Sequence, residues 1–189
     1  MAKFDASGTD EMMRLLHGLG KETETICSMA LYRGAGVAVD ALREATEALP
    51  VEDFHPLPGS RNGKDPLNTL TADDQEDLLN GLGLARFEHT GNGVNTAASF
   101  EGYSRHKSKR FPKGIRLPMI ARSIESGSSA RKKHPFIRRA MRAKESQIQE
   151  AMEDTVRSAV DTYVATGSLP PFDNVSSGKD SKGIHKKST

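Results

Sequence analysis

From Pro135 to Thr166 the chain holds one helical period without a break. Ile137, Met141, Ile148, Met152, Val156, Ala159 and Tyr163 recur at helical steps. Pro135 suits the first turn of such a helix, where its missing N–H costs nothing, and Gly167 with Pro170 and Pro171 stops it. About 31 residues at 1.5 Å each make a rod of roughly 45 Å. That is long for a small domain, so one end is expected to project or to lie against another subunit.

Two further helices are expected before it. Asp10 is placed to cap a short one, Glu11 to Leu19, closed by Gly20. Thr23 or Thr25 opens a longer one that ends near Leu49-Pro50. Its apolar stripe is Ile26, Met29, Ala30, Val37, Ala41, Ala45 and Leu49. Cys27, on the same stretch, reads as a small core residue. Gly34 and Gly36 each cost roughly 1 kcal/mol against Ala inside a helix, a cost met when another backbone must come close. The Gly-Ala-Gly step is no phosphate-binding turn, because no strand precedes it and no Lys-Ser/Thr follows.

Residues 50–70 hold four prolines and two glycines and read as a surface loop. Thr71 then caps a helix whose first turns carry Asp73, Asp74, Glu76 and Asp77, favoured there by the helix dipole. Their spacing matches no calcium loop. LGLARFEHT and VNTAASFEGYS alternate on either side of Gly91-Asn92-Gly93, which predicts a hairpin. LPMIARSIE, Leu117 to Glu125, alternates too and is expected to be a third strand. The predicted fold is α+β: N-terminal helices and a long C-terminal helix packed on a small antiparallel sheet of three or more strands. One domain is expected over 1–167, followed by an extended polar tail, 168–189.

The chain is 35% apolar and 5% aromatic, with no Trp, across 189 residues. Its surface is therefore heavily solvated, or it completes its core against neighbours. A single cysteine excludes an internal disulfide, and no Cys/His spacing suits zinc. No run approaches a membrane span, and the N-terminus has no signal-peptide core. No hydrolase, zinc-protease, Walker or dinucleotide motif occurs, so no catalytic residue, cofactor or metal is expected. The net charge of +2 hides an asymmetry. Residues 1–104 carry 8 Lys/Arg against 17 Asp/Glu, and residues 105–189 carry 19 against 8. Such a chain can set its acidic part against the basic part of a second copy.

The cations fall in two clusters, 105–116 and 131–144. Candidate partner-facing residues are Arg105, Lys107, Lys109 and Arg110 in the first. In the second they are Arg131, Lys132, Lys133, His134, Arg138 and Arg139. Gly127, Pro135 and Phe136 are the expected anchors of the joint that leads into the long helix. A nucleic-acid backbone is the alternative partner for these cations. No helix-turn-helix, zinc finger or RNA-binding aromatic signature accompanies them.

In order, MAKFDASGTDEMMRLLHGL, ALYRGAGVAVDALREA, LPMIARSIESGSS and HPFIRRAMRAKESQIQEAMEDTV resemble four pieces of one family. These are the opening helix, the small-residue second helix, the strand ending in a Gly-Ser turn, and the Pro-Phe-Ile-Arg start of the last helix. The family is the gene-product-ten-like head–tail joining, or tail-completion, neck proteins of long-tailed bacteriophages. The likeness covers roughly residues 1–165, and LTADDQEDLLNGLGLARFEHTGNGVNT is similar to a prophage version. It implies a non-enzymatic virion protein, made in the host bacterial cytoplasm and working at the head–tail junction. Six or twelve copies would form a ring and meet connector, tail-terminator or tail-tube proteins. Genomic DNA would pass through the channel without being read, and no membrane would be involved.

Overall fold

A computed structural model describes residues 7–53, 70–90, 93–129 and 131–171. The order is α1 (Ser7–Glu47), α2 (Ala72–Gly81), β1 (Leu82–Leu84), β2 (Glu88–Thr90), β3 (Gly93–Asn95), β4 (Ala98–Phe100), α3 (Leu117–Ser126) and α4 (Phe136–Thr166). The class is α+β. Most of the 50–70 loop, all but the first residues of the polar tail, and Gly91-Asn92 of the expected turn lie outside the described residues.

The two expected N-terminal helices are one. α1 runs 41 residues straight through Gly20, roughly 60 Å at 1.5 Å per residue. A glycine inside a helix costs about 1 kcal/mol, which is not enough to end it when both flanks are held by packing. α4 runs antiparallel along α1. Gly18 of α1 lies beneath the Tyr163 ring, and Gly34 lies beneath Met152 and Ile148. A Cβ on Gly34 would come within 2.6 Å of Met152 Cγ, so the close approach expected of this glycine is realised. Gly36 has nothing near its Cβ position and plays no such part. Ile26, Met29, Ala30, Ala41 and Leu49 of the expected stripe are buried, with Ala38 and Leu42 beside them. Cys27 is exposed, contrary to expectation. It lies one residue, about 100°, off the Ile26 position on the wheel.

The expected hairpin forms as two short antiparallel ladders. β1 pairs with β4 (Leu82 opposite Phe100), and β2 pairs with β3 (Glu88 opposite Asn95). Between them, three residues, Ala85 to Phe87, face two, Thr96 and Ala97. The Ala85 N–H donates to Ala97 O at 2.7 Å, and Thr96 Oγ1 donates to Ala85 O at 2.9 Å. The extra residue acts as a bulge. It shifts the register by one and exchanges the faces of the outer ladder. Among the described residues no sheet exceeds two strands.

The third strand is absent because LPMIARSIE is a helix. Pro118 sits in its first turn, and Leu117, Ile120, Ala121 and Ile124 fall at helical spacing and are all buried. The same residues alternate well enough to imitate a strand, an ambiguity inherent in short apolar runs. This helix also departs from the strand that the family resemblance implies there.

These elements share one core. Leu42, Leu49, Leu70, Leu78, Leu82, Phe100, Leu117, Ile120, Ala121, Ile124 and Phe136 form a single cluster, with Ile137, Ala140 and Met141 packed against it. This head therefore encloses the C-terminal end of α1 and the start of α4. The rest of the two long helices forms an arm. No described helix is long and apolar enough to cross a membrane.

Phe136 is 6% exposed, and its ring centroid lies 6.3 Å from that of Phe100 at a tilt of 52°. Phe136→Ala is expected to lower stability by about 3–5 kcal/mol. A chemical denaturation curve unchanged by the substitution would remove this residue from the core.

Candidate functional site

Thr71 caps α2 as expected, its Oγ1 accepting from the Asp74 N–H at 3.3 Å. The carboxylates that follow do more than favour the helix dipole. The loop after β4 turns back so that Arg105 reaches three of them: Asp73 at 3.2 Å, Glu76 at 2.7 Å and Asp77 at 3.0 Å. The Arg105 N–H donates to Asp77 as well, at 2.8 Å. His106 Nε2 lies 2.7 Å from Asp73. Hydrogen bonds to Glu76 and then Asp77 push the Arg105 guanidinium above its ordinary value. The loop is also closed at its neck. Tyr103 bridges Arg116, and the Ser104 N–H donates to Ile115 O at 2.8 Å.

Asp74 takes a different cation. Arg131 Nη2 lies 2.5 Å from its carboxylate, with side chains 10% and 9% exposed. This pair ties α2 to the joint between α3 and α4. In that joint Gly127 has φ +77, and a Cβ there would lie 3.1 Å from Lys133 Cβ. Only glycine takes such a backbone without strain, and the crowding compounds it. Pro135 stands just before the first residue of α4 and offers it no side-chain cap. The cap comes from α3 instead. Glu125, 8% exposed, accepts from the Ile137 N–H at 2.9 Å and the Arg138 N–H at 3.3 Å. Arg138 Nε donates back to it at 2.9 Å. A carboxylate on two free N–H groups at a helix start is favoured by hydrogen bonding and by the dipole together. His134 is half-buried, and its N–H donates to Ile124 O at 2.6 Å, which holds the joint closed.

The candidate cations therefore divide. Arg105, Arg131 and Arg138 are all engaged by carboxylates of their own chain, but only Arg131 is nine-tenths buried by this; the side chains of Arg105 and Arg138 stay 41% and 64% exposed. Lys107, Lys109, Arg110, Lys132, Lys133 and Arg139 are exposed, and Arg110 lies over the Phe111 ring at 5.5 Å. The same pairing offsets part of the acidic charge of α2, where Asp73 and Glu76 remain 44% and 62% exposed.

Other groups had no local signal in the sequence. Gln75 Nε2 donates to the carbonyls of Thr46, Glu47 and Leu49, closing the C-terminus of α1 from 26 to 29 residues away. Glu125 caps a helix other than its own. Tyr103 and Met119 are each 51% exposed, and Val51 is 45% exposed. Among the described residues no group of three or more His, Cys, Asp or Glu could hold a metal. The hollows along α4 and beside β4 are open surface grooves. One, about 370 Å³, is lined by Phe100, Gly102, Tyr103, Arg116 and Pro118.

Comparison with family models, with curated proteins and with solved structures gives no match.

Removing Arg131 strands the buried Asp74 carboxylate. Arg131→Ala is expected to cost about 3–5 kcal/mol, whereas Lys132→Ala with Lys133→Ala should stay within about 0.5 kcal/mol. Glu125→Ala should cost about 2 kcal/mol through the lost cap. Urea denaturation of the three variants checks the order.

Proposed function

We propose that this chain is a structural protein of a tailed-phage virion, assembling as a ring at the head–tail junction and joining the capsid connector to the tail. It works by contact and carries out no reaction. The observation that carries this reading is the arm. Two long antiparallel helices leave the head, and their far ends keep large apolar side chains in water: Leu16 is 60% exposed, Val164 58% and Val156 38%. A pair of helices has one seam, and apolar groups off that seam are covered only when another molecule lies alongside. Repeated subunits stacked around an axis would supply that cover. The order of the sequence pieces that resemble neck proteins supports the same reading. The helix at 117–126 is where this chain differs from that pattern.

Binding to a nucleic-acid backbone through the two basic clusters is the competing reading. It is weakened where Arg105, Arg131 and Arg138 are held by Asp73, Glu76, Asp77, Asp74 and Glu125. The exposed lysines Lys107, Lys109, Lys132 and Lys133 are the proper ones to neutralise, since removing Arg131 would disturb the fold itself. Under the ring reading, their replacement by Ala abolishes head–tail attachment and leaves weak DNA retention little changed. Under the DNA reading, the salt dependence of binding flattens by about one unit of slope per phosphate contact removed. Electron microscopy of particles is the direct test. Density for this chain anywhere but the collar between head and tail overturns the proposal.

A further inference from the structure

The ring reading leaves open which surfaces of neighbouring copies meet. We infer that one copy's acidic ridge at the end of α1 docks on the next copy's basic patch around Tyr103 and Met119. The inference rests on the ring reading and deepens it.

The ridge is defined by what the fold does not use. α2's carboxylates are occupied internally. Asp40, Glu44 and Glu47 are exposed and fall within one side of α1, since steps of four and seven residues nearly complete whole turns. Among the described residues none of the three makes an ion pair. α1 has no basic residue in its last turn, although the dipole there favours cations and disfavours carboxylates. Arg43, three residues after Asp40 and four before Glu47, stands beside both and offsets one of the three charges. Glu44 and Glu47 are thus poorly placed for an isolated subunit and well placed for a cationic neighbour. Just past them Val51 stands 45% exposed, followed by exposed Asp53.

The patch is the converse. Tyr103 and Met119 are half-exposed; Tyr103 lines the shallow groove beside β4 with Arg116 and Pro118, and Met119 follows Pro118 in the chain. Lys107, Lys109 and Arg110 stand on the loop that springs from the Tyr103–Arg116 bridge. Glu101 is the one carboxylate lining that groove. Tyr, Met and Arg are the residues enriched in protein interfaces, and an apolar centre with a charged rim is the usual anatomy. The patch has that anatomy, and the ridge offers the opposite charge with one exposed apolar residue, Val51, just past it in the chain. The start of α4 is also cationic, through Arg139 and Arg142, but no large apolar group of its first turns is exposed. A contact between two different patches is heterologous, which is the kind that can close a ring.

The test uses the full chain and measures mass by light scattering during gel filtration. Two charge reversals are made: Lys109→Glu with Arg110→Glu in the patch, and Glu44→Lys with Glu47→Lys on the ridge. The wild type is expected to form a higher-mass species that dissociates as salt is raised. Each reversal alone should weaken association about tenfold or more. Mixing the two variants should rebuild the large species, because each sound ridge meets a sound patch and each reversed ridge meets a reversed patch. Both reversals in one chain should restore the large species. The ridge reversal also carries its own control for folding. Lysines at the end of α1 suit the dipole, so the melting temperature should hold or rise while assembly is lost. A wild type that stays monomeric, a reversal that leaves the mass unchanged, or a mixture that stays monomeric overturns the assignment. If the wild type assembles and only Arg139→Glu with Arg142→Glu disrupts it, the partner surface is the start of α4 and this proposal fails, while the ring reading stands. The ring reading falls separately, on where particle maps place the chain.

Discussion

The four carboxylates of α2 govern how the rest of this molecule is arranged. Ten residues long, α2 is too short to be stable alone, yet it gathers the chain from three directions. Arg105 brings back the loop after β4, Arg131 brings the joint before α4, and Gln75 reaches to the end of α1. The Arg131–Asp74 pair is the most consequential of these contacts. Both side chains are about nine-tenths buried, and a charge left alone there has no water to turn to. Such a pair contributes little net stability over an apolar substitute, but it tolerates few alternative arrangements. It fixes where the joint sits, and the joint fixes where the start of α4 and Phe136 meet the core.

This internal use of charge changes what the asymmetry of the chain means. An acidic first half and a basic second half need not present two opposite faces, because folding can bring the halves together. Here it does so at one place and not at others. α2 is partly offset by Arg105 and Arg131, whereas the end of α1 and the lysines of the basic loop keep their charges at the surface. The asymmetry that bears on partners is therefore what remains after these pairings. It is carried by Asp40, Glu44 and Glu47 on one side, and by Lys107, Lys109 and Arg110 on the other.

Local periodicity made much of the fold legible. The apolar stripe of α1, the Thr71 cap of α2, the hairpin strands and the whole of α4 follow from spacing and from Gly, Pro and Thr at their ends. Periodicity failed where two periods coexist. Leu117 to Glu125 satisfies alternation and helical spacing alike, and only the buried set Leu117, Ile120, Ala121 and Ile124 shows which one the core selected. It failed also at Gly20, where an intrinsic preference of about 1 kcal/mol is overridden by packing along the partner helix. Within the candidate site, the cations were visible as clusters but their partners were not. Arg131 and Asp74 are 57 residues apart, and no local rule couples positions at that distance. The exposed apolar centres were equally hidden, because Val51, Tyr103 and Met119 differ from core residues only in where the fold leaves them.

The end of α1 illustrates why the uncovered surfaces deserve a functional explanation rather than a structural one. A chain under pressure for monomer stability alone would place lysine or arginine in that last turn, where each favours the dipole by about 0.3–1 kcal/mol. It would also cover Leu16 and Val164, or replace them with polar residues. This chain does neither, and its core is nonetheless well formed, with Leu70, Leu78 and Ile124 fully enclosed. The departures are confined to the arm and to the two oppositely charged patches. Under the proposed reading, these departures from local preference, gathered on the surface around a sound interior, are where a neighbouring copy would dock.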